Sequence, residues 1–187
     1  MGKRDDIVEA TKALLWEKGY EATSPRDIQE RSNAGQGSFY HHFASKQALA
    51  AVAIQEVVDE RIRDFEDAMA SSGRFADRFL MYVAQNQQPL QGCRVGRLVW
   101  DSAIQEDELR LPLAQYFRHL ETRITEILEG EQKTGHAKLS MPAHQIALLV
   151  VSIVQGNFAV SRAMKRARSG DMRSALQAFL RIAMVEK

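Results

Sequence analysis

The sequence is short of the residues that would staple it, break it or anchor it. Cys93 is the single cysteine among 187 residues, so no intrachain disulfide can form, and a disulfide-dense secreted scaffold is excluded. Prolines number only four, and no low-complexity tract or internal repeat appears. The longest apolar stretch, Ile146 to Val154, is interrupted by Ser152 and falls short of the roughly 20 residues that span a bilayer. Residues 1–20 mix charged and apolar positions at helical spacing, which is not the continuous apolar core of a secretory signal. A soluble, cytoplasmic protein with no membrane partner is the expectation.

Catalytic signatures are missing too. The chain has no H-E-x-x-H, G-x-S-x-G, P-loop or full G-x-G-x-x-G pattern. None of its histidines has a glutamate three residues before it, which removes the E-x-x-H motif of a di-iron bundle. The adjacent His41 and His42 point in different directions on a helix and make a poor metal pair. No enzyme, no cofactor and no metal site are expected. Net charge is +1, which decides nothing about nucleic acid, because an overall charge hides local fields.

What is present is helical periodicity throughout, with 45% apolar residues to build a core. Ile7, Ala10 and Leu14, flanked by Val8 and Leu15, form a stripe that ends near Gly19. Ser24 reads as an N-cap, with Pro25 at the first helical position and Asp27 completing a capping-box pattern. Asn33 to Gly37 is turn-rich, a short helix covers about 36–41, and Ser45 caps a long helix over 46–70, about 37 Å at 1.5 Å per residue. Further helices are expected at about 74–87, 91–103, 106–133, 142–168 and 172–185. Pro25, Pro89, Pro112 and Pro142 all look like helix starts. The fold class is all-α, about nine helices, with a three-helix N-terminal domain over 1–47 and a C-terminal domain over 48–187.

The sharpest signal lies between Thr23 and Lys46. Two short helices joined by a tight turn, with polar groups on the second, suit a major groove about 12 Å wide. The run Gly37-Ser38-Phe39-Tyr40-His41-His42-Phe43, then Ser45-Lys46 and Leu49, resembles the recognition-helix signature of TetR-family repressors, and Gly19-Tyr20, Thr23-Ser24 and Ile28 sit at that family's spacing. The resemblance implies that Tyr40 and His41 touch DNA, that Gln36, Gly37 and Ser38 face base edges, and that Lys46 meets a phosphate. It also implies that Thr23 or Ser24 contacts backbone phosphate and that Arg26 and Gln29 project toward the groove, while Phe39 and Phe43 are core. Many relatives carry glycine at the turn and lysine before Gly37; Asn33 and Gln36 stand here instead. Residues 1–50 hold seven Lys/Arg against seven Asp/Glu, so this region is neutral before histidines count. Binding would then rely on dimerisation and close polar contacts, with a shallow salt dependence.

The C-terminal part reads as a sensing and pairing domain. The helix from Pro142 is apolar nearly all round (Ile146 to Val151, Ile153, Val154, Phe158), and Met172, Leu176, Phe179, Leu180 and Ala183 stripe the last helix. The resemblance implies that these two helices form a four-helix homodimer interface, though both could serve only the monomer's own core. Candidate effector-pocket residues are Phe79, Tyr82, Val83, Cys93, Trp100, Tyr116, Phe117, Leu120 and Asn157. Gly92-Cys93 resembles a TetR subgroup in which some members sense electrophiles or oxidants through that cysteine. A thiol near a helix N-terminus, with Arg94 and Arg97 close by, would favour thiolate, while an inert pocket-lining cysteine is the competing reading. Arg162, Lys165, Arg166 and Arg168 read as a solvated face or dimer rim. The function implied is a ligand-responsive repressor that binds a palindromic operator in double-stranded DNA. The alternatives, a small helical enzyme or a protein-interaction bundle, leave the Gly37–Lys46 run unexplained.

Overall fold

Local capping chemistry fixes where the first helices begin and end. A computed structural model of the protein describes residues 2–85 and 90–185. Helix α1 (Lys3–Lys18) starts with the Asp5 carboxylate accepting from the Gly2 N–H at 3.0 Å and ends at Gly19, whose φ of 84° suits a residue without Cβ. Helix α2 (Pro25–Ser32) carries the full capping box: Ser24 Oγ accepts from Asp27 N at 3.2 Å, and Asp27 Oδ2 accepts from Ser24 N at 2.7 Å. The Ser24 hydroxyl and the Lys18 ammonium hold the Asp27 carboxyl well below the usual carboxylate range. Asn33 ends α2 in the left-handed region at φ 49°. Helix α3 (Gln36–His42) is followed by α4 (Lys46–Ala70), whose first turn is capped by Ser45 Oγ accepting from Ala48 N at 3.0 Å.

The remaining helices are α5 (Phe75–Gln85), α6 (Asp107–Lys133), α7 (Ala143–Ala163) and α8 (Ser169–Ala183), giving eight α-helices among the described residues. Two residues of β1 (Lys138–Leu139) pair antiparallel with β2 (Met184–Val185), a pairing with no sequence signal. The helix expected over 91–103 is not there. Two 3-10 helices stand in that stretch, Gly96–Trp100 and Ser102–Gln105. Gly92 takes φ 85°, and Asp101 and Ser102 spend their side chains on a distant turn instead of on a helix of their own. Pro112 lies inside α6 and starts no helix. The expected helix start at Pro89 and the end of the 74–87 helix at 86–87 fall outside the described residues.

The chain divides into two compact units, residues 1–61 with 94–115, and residues 62–93 with 116–187. The first has α1 packed on α2, α3 and the first 3-10 helix, around Ile7, Ile28, Phe39, Leu49, Ile54 and Leu109, all 0–1% exposed. The second packs α8 against α5 and α7 around Phe65, Phe75, Ile124, Leu128, Ile146 and Leu176. α7 is long and apolar enough to cross a membrane by length and composition alone, but a single buried stripe (Ile146, Ala147, Val150, Asn157, Ser161) marks its packed side.

In the second unit, Glu66 on α4 accepts from His119 Nε2 at 2.7 Å and from Arg123 Nε at 2.9 Å on α6. Burial pushes the Glu66 carboxyl up, but the Arg123 and His119 bonds outweigh it and hold the group below its ordinary 4.5. That contribution to stability is present above the ordinary value and fades as pH falls through the depressed one. Glu66→Gln should therefore lower the urea midpoint at pH 7. The gap from the wild type should narrow on acidification below pH 4.5; a gap unchanged at acid pH would mean that the bonds act without the charge.

Candidate nucleic-acid interface

The interface is built on a helix that buries one side and spends the other. Phe39 of α3 is fully buried and Phe43 nearly so, and both belong to the core of the first unit. On the same short helix Gln36, Gly37, His41 and His42 are exposed, Ser38 is half-buried, and Tyr40 is 52% exposed with its ring edge-on to Phe39 at 5.1 Å. The geometry thus places the Tyr40 ring at the surface. The turn before α3 holds together because Asn33 adopts the left-handed conformation with its N–H on the Gln29 and Glu30 carbonyls.

Around α3 the other expected contact residues divide. Ser24 and Arg26 are exposed and Gln29 is half-buried. Thr23 is 1% exposed, and its hydroxyl donates to the Gly19 carbonyl at 2.6 Å, so of the Thr23–Ser24 pair only Ser24 is open to a phosphate. Lys46 is turned inward: its ammonium donates to the Tyr20 carbonyl at 3.0 Å and lies 4.0 Å from the Tyr20 ring centre. The charge balance of residues 1–50 is realised pair by pair. Lys3 meets Asp6 at 3.3 Å, Arg4 meets Asp5 at 3.9 Å, Lys18 meets Asp27 at 2.9 Å, Arg26 meets Glu30 at 2.8 Å and Arg31 meets Glu17 at 2.6 Å. Lys12 is buried among Glu9, Glu56 and Glu60.

The expected effector residues divide as well. In the second unit Phe79 and Tyr82 join a chain of ring contacts, with Phe65–Tyr82 at 5.4 Å and Phe79–Tyr82 at 6.3 Å, while Tyr116 and Phe117 form a separate pair at 5.2 Å. Burial pushes the Tyr116 phenol well above its ordinary value, and neighbouring Cys93 and Tyr82 add to the rise. Val83 and Leu120 are buried. Asn157 is 9% exposed, and its Nδ2 has no hydrogen-bond partner among the described residues. Trp100 belongs to the first unit and is 84% exposed, so the structure does not bring it to the others. Cys93 is half-buried and precedes a 3-10 helix that begins only at Gly96, so the helix N-terminus expected to favour its thiolate is absent. A groove of about 490 Å³ lined by Asp64, Asp67, Met81 and Tyr82, among others, shares only Tyr82 with the expected set.

Sequence reasoning missed the residues that hold the turn between α1 and α2. Asp101 Oδ2 accepts from Tyr20 N at 2.7 Å, Arg97 donates to the Glu17 carbonyl at 3.1 Å, and the Ser102 hydroxyl bonds Glu21. These partners lie about 80 positions apart in the chain, beyond the reach of any periodicity.

Comparison with known proteins finds matches over both ends of the chain. Residues 7–53 match the family described as bacterial regulatory proteins, tetR family, and residues 73–179 match the tetracyclin repressor-like C-terminal domain. An uncharacterised HTH-type transcriptional regulator in the lacX 3′ region of Lactococcus lactis is 29% identical over 163 residues, covering 82% of this chain and 80% of its own. The HTH-type transcriptional repressor DhaR of a Mycobacterium species (strain GP1) is 24% identical, over 82% of this chain and 79% of its own. Among solved structures, a TetR-family transcriptional regulator from Agrobacterium tumefaciens superposes with a TM-score of 0.85 at 21% identity, covering 95% of this chain and 96% of its own. The reduced form of E. coli NemR gives 0.84 at 17% identity, over 99% and 98%.

Asn33 offers a direct check on the turn. Asn33→Gly should leave the urea midpoint nearly unchanged, whereas Asn33→Val should cost about 1–2 kcal/mol, the penalty of a branched side chain in the left-handed region. Equal tolerance of both would mean that the turn between α2 and α3 relaxes away from its φ of 49°.

Proposed function

The chain belongs to the TetR family of bacterial regulatory proteins, and on that footing we propose that it is a cytoplasmic repressor that reads a palindromic operator as a homodimer and releases it when a small molecule binds the second unit. It is a helix-turn-helix regulator of transcription and not an enzyme. One observation carries the operator reading: α3 buries Phe39 completely while presenting Gln36, Gly37, Tyr40 and His41 to solvent. Gln36, Gly37 and Ser38 face base edges, Tyr40 and His41 reach bases or backbone, and Ser24, Arg26 and Gln29 flank them. Lys46 reaches a phosphate only by leaving the Tyr20 carbonyl, and Thr23 only by leaving Gly19. Neutral pairing across residues 1–50 keeps the non-specific electrostatic component small.

Half-sites of helix-turn-helix dimers lie about 34–36 Å apart or a multiple of that, so two reading heads have to be held together. The pairing surface proposed is the outer side of α7 and α8, where Leu148, Leu149, Val160 and Ile182 are 37–70% exposed. Such a strip of large apolar side chains suits a self-complementary interface. The effector site proposed is the aromatic cluster of Phe79, Tyr82, Tyr116 and Phe117, with Cys93 beside it and Asn157 as a polar contact. Binding there would tilt α4, which runs unbroken from Lys46 to Ala70, and change the separation of the two α3 helices. Modification of Cys93 is a second route to release, favoured by its place next to Tyr116. An electrophile that frees DNA from the wild type and equally from Cys93→Ser excludes that route.

Random-site selection with the purified protein at low salt should return a palindrome. A dimer that shows no sequence preference sinks the regulator reading. On the selected duplex, Tyr40→Ala should weaken binding about tenfold or more while the dimer stays intact, the loss expected of one base or backbone anchor. Gln36→Lys should tighten binding to all sequences and steepen the salt slope by about 1 per protomer; an unchanged slope would place residue 36 away from phosphate. Leu148→Glu with Ile182→Glu should give monomers by sedimentation and abolish operator binding, and a dimer that survives both moves the interface elsewhere.

A further inference from the structure

The segment 94–105 does more than connect helices. Its side chains converge on the corner between α1 and α2, within the first unit. We infer that Asp101 is the positioning residue of the DNA-reading helices: it holds the Gly19–Tyr20 corner in place without touching DNA. This rests on the regulator reading above and adds a residue outside the expected contact set.

The argument starts from Tyr20, which is gripped on both sides of its backbone. Its N–H donates to Asp101 Oδ2 at 2.7 Å, and its carbonyl accepts from Lys46 Nζ at 3.0 Å at the start of α4. The same carbonyl accepts from Thr23 N at 3.2 Å, and the Thr23 hydroxyl caps the Gly19 carbonyl at 2.6 Å. The chain enters α2 immediately after Thr23, so the corner sets the start of the helix-turn-helix. Arg97 on Glu17 O at 3.1 Å and Ser102 on Glu21 hold the corner on either side of Asp101.

Gly19 shows how closely the carboxylate is seated. A Cβ built at Gly19 would lie 2.5 Å from Asp101 Oδ2, and the φ of 84° already disfavours any side chain there. Close approach of Asp101 and absence of a side chain at residue 19 are thus one requirement seen from two sides. A charged acceptor on a backbone N–H is among the stronger hydrogen bonds available. The segment is entered directly from Cys93 and left into α6, which continues to Lys133.

The test uses full-length dimer and the duplex recovered by selection, with Asp101→Ala, Asp101→Asn, Gly19→Ala and the double variant Gly19→Ala/Asp101→Ala. Asp101→Ala should lower affinity for the selected duplex about tenfold, a factor worth about 1.4 kcal/mol. Affinity for random-sequence DNA and the salt slope should stay as in the wild type, because no phosphate contact is lost. Asp101→Asn keeps an oxygen for the Tyr20 N–H and should bind nearly as the wild type. Gly19→Ala should lose at least as much as Asp101→Ala, and the double variant should lose less than the sum of the two, since removing the carboxylate removes the clash and leaves only the strain of φ 84° at residue 19. Independently of DNA, hydrogen exchange at the Tyr20 amide should accelerate in Asp101→Ala and not in Asp101→Asn.

Three results overturn the inference: a Tyr20 amide that exchanges no faster in Asp101→Ala, equal losses on selected and random duplexes, or additive losses in the double variant. A selection that yields no preferred site sinks the regulator reading instead. The exchange measurement, made without DNA, still upholds or overturns the grip itself.

Discussion

A buried ammonium sets the geometry of the DNA-reading unit. Lys12 of α1 has a side chain only 3% exposed, and its Nζ lies 2.6 Å from Glu9, 3.7 Å from Glu56 and in contact with Glu60. Burial alone would drive the proton off such a lysine, but the Glu60 and Glu9 bonds prevail and keep it charged. A cation in that position has to meet its carboxylates, because a buried charge left alone is strongly destabilising. The pairing therefore fixes α1 against the middle of α4 with little latitude. Glu60 extends the cluster to Arg94 at 3.5 Å, and the Arg94 guanidinium lies 5.4 Å from the Trp16 ring centre. One end of the 94–105 segment is thus tied to the middle of α1 by ionic contacts, and its far end grips the α1–α2 corner through Asp101.

Neutrality in the reading head follows from the same economy of charge. Six of the seven cations in residues 1–50 face a carboxylate within 4.0 Å, and the seventh, Lys46, lies on the Tyr20 carbonyl and ring. A head of this kind has little long-range pull on a phosphate backbone. On the proposed operator, discrimination then depends on short polar contacts from α3, and such contacts tolerate only small errors in placement. The demand for accurate positioning and the density of contacts around Gly19, Tyr20 and Thr23 belong together.

Much of this was legible in the sequence where local chemistry decides. The Ser24-Pro25-Asp27 pattern marked the start of α2, Ser45 marked α4, and Asn33 marked the left-handed turn, because caps and turns are written within four residues of where they act. The exposed face of α3 followed from the motif. Stretches governed by distant partners were not legible. Residues 91–103 carry enough apolar positions to read as a helix, yet Asp101 and Ser102 bond residues 20 and 21, and Gly92 turns the chain at φ 85°. Trp100 read as a pocket aromatic because residue type suggests burial, and the 3-10 geometry leaves it 84% exposed. Thr23 and Lys46 read as phosphate ligands, while their polar atoms are spent on Gly19 and Tyr20 carbonyls that no spacing rule connects to them. Pro112 shows the reverse error, since a proline in an early turn of a 27-residue helix is tolerated without marking its start.

The compact units do not divide where α4 begins. The compact body that contains α1, α2 and α3 extends to Arg61 and also takes in residues 94–115. The segment 94–105 is joined to the head by Arg94, Arg97, Asp101 and Ser102. Those contacts are few and polar, and Arg97, Asp101 and Ser102 all act on residues 17–21. Loss of one or two of them costs little of the apolar core built on Ile7, Ile28 and Phe39, so the corner can shift while the fold persists. The reading head combines a fully buried apolar core with a corner held by a handful of polar bonds.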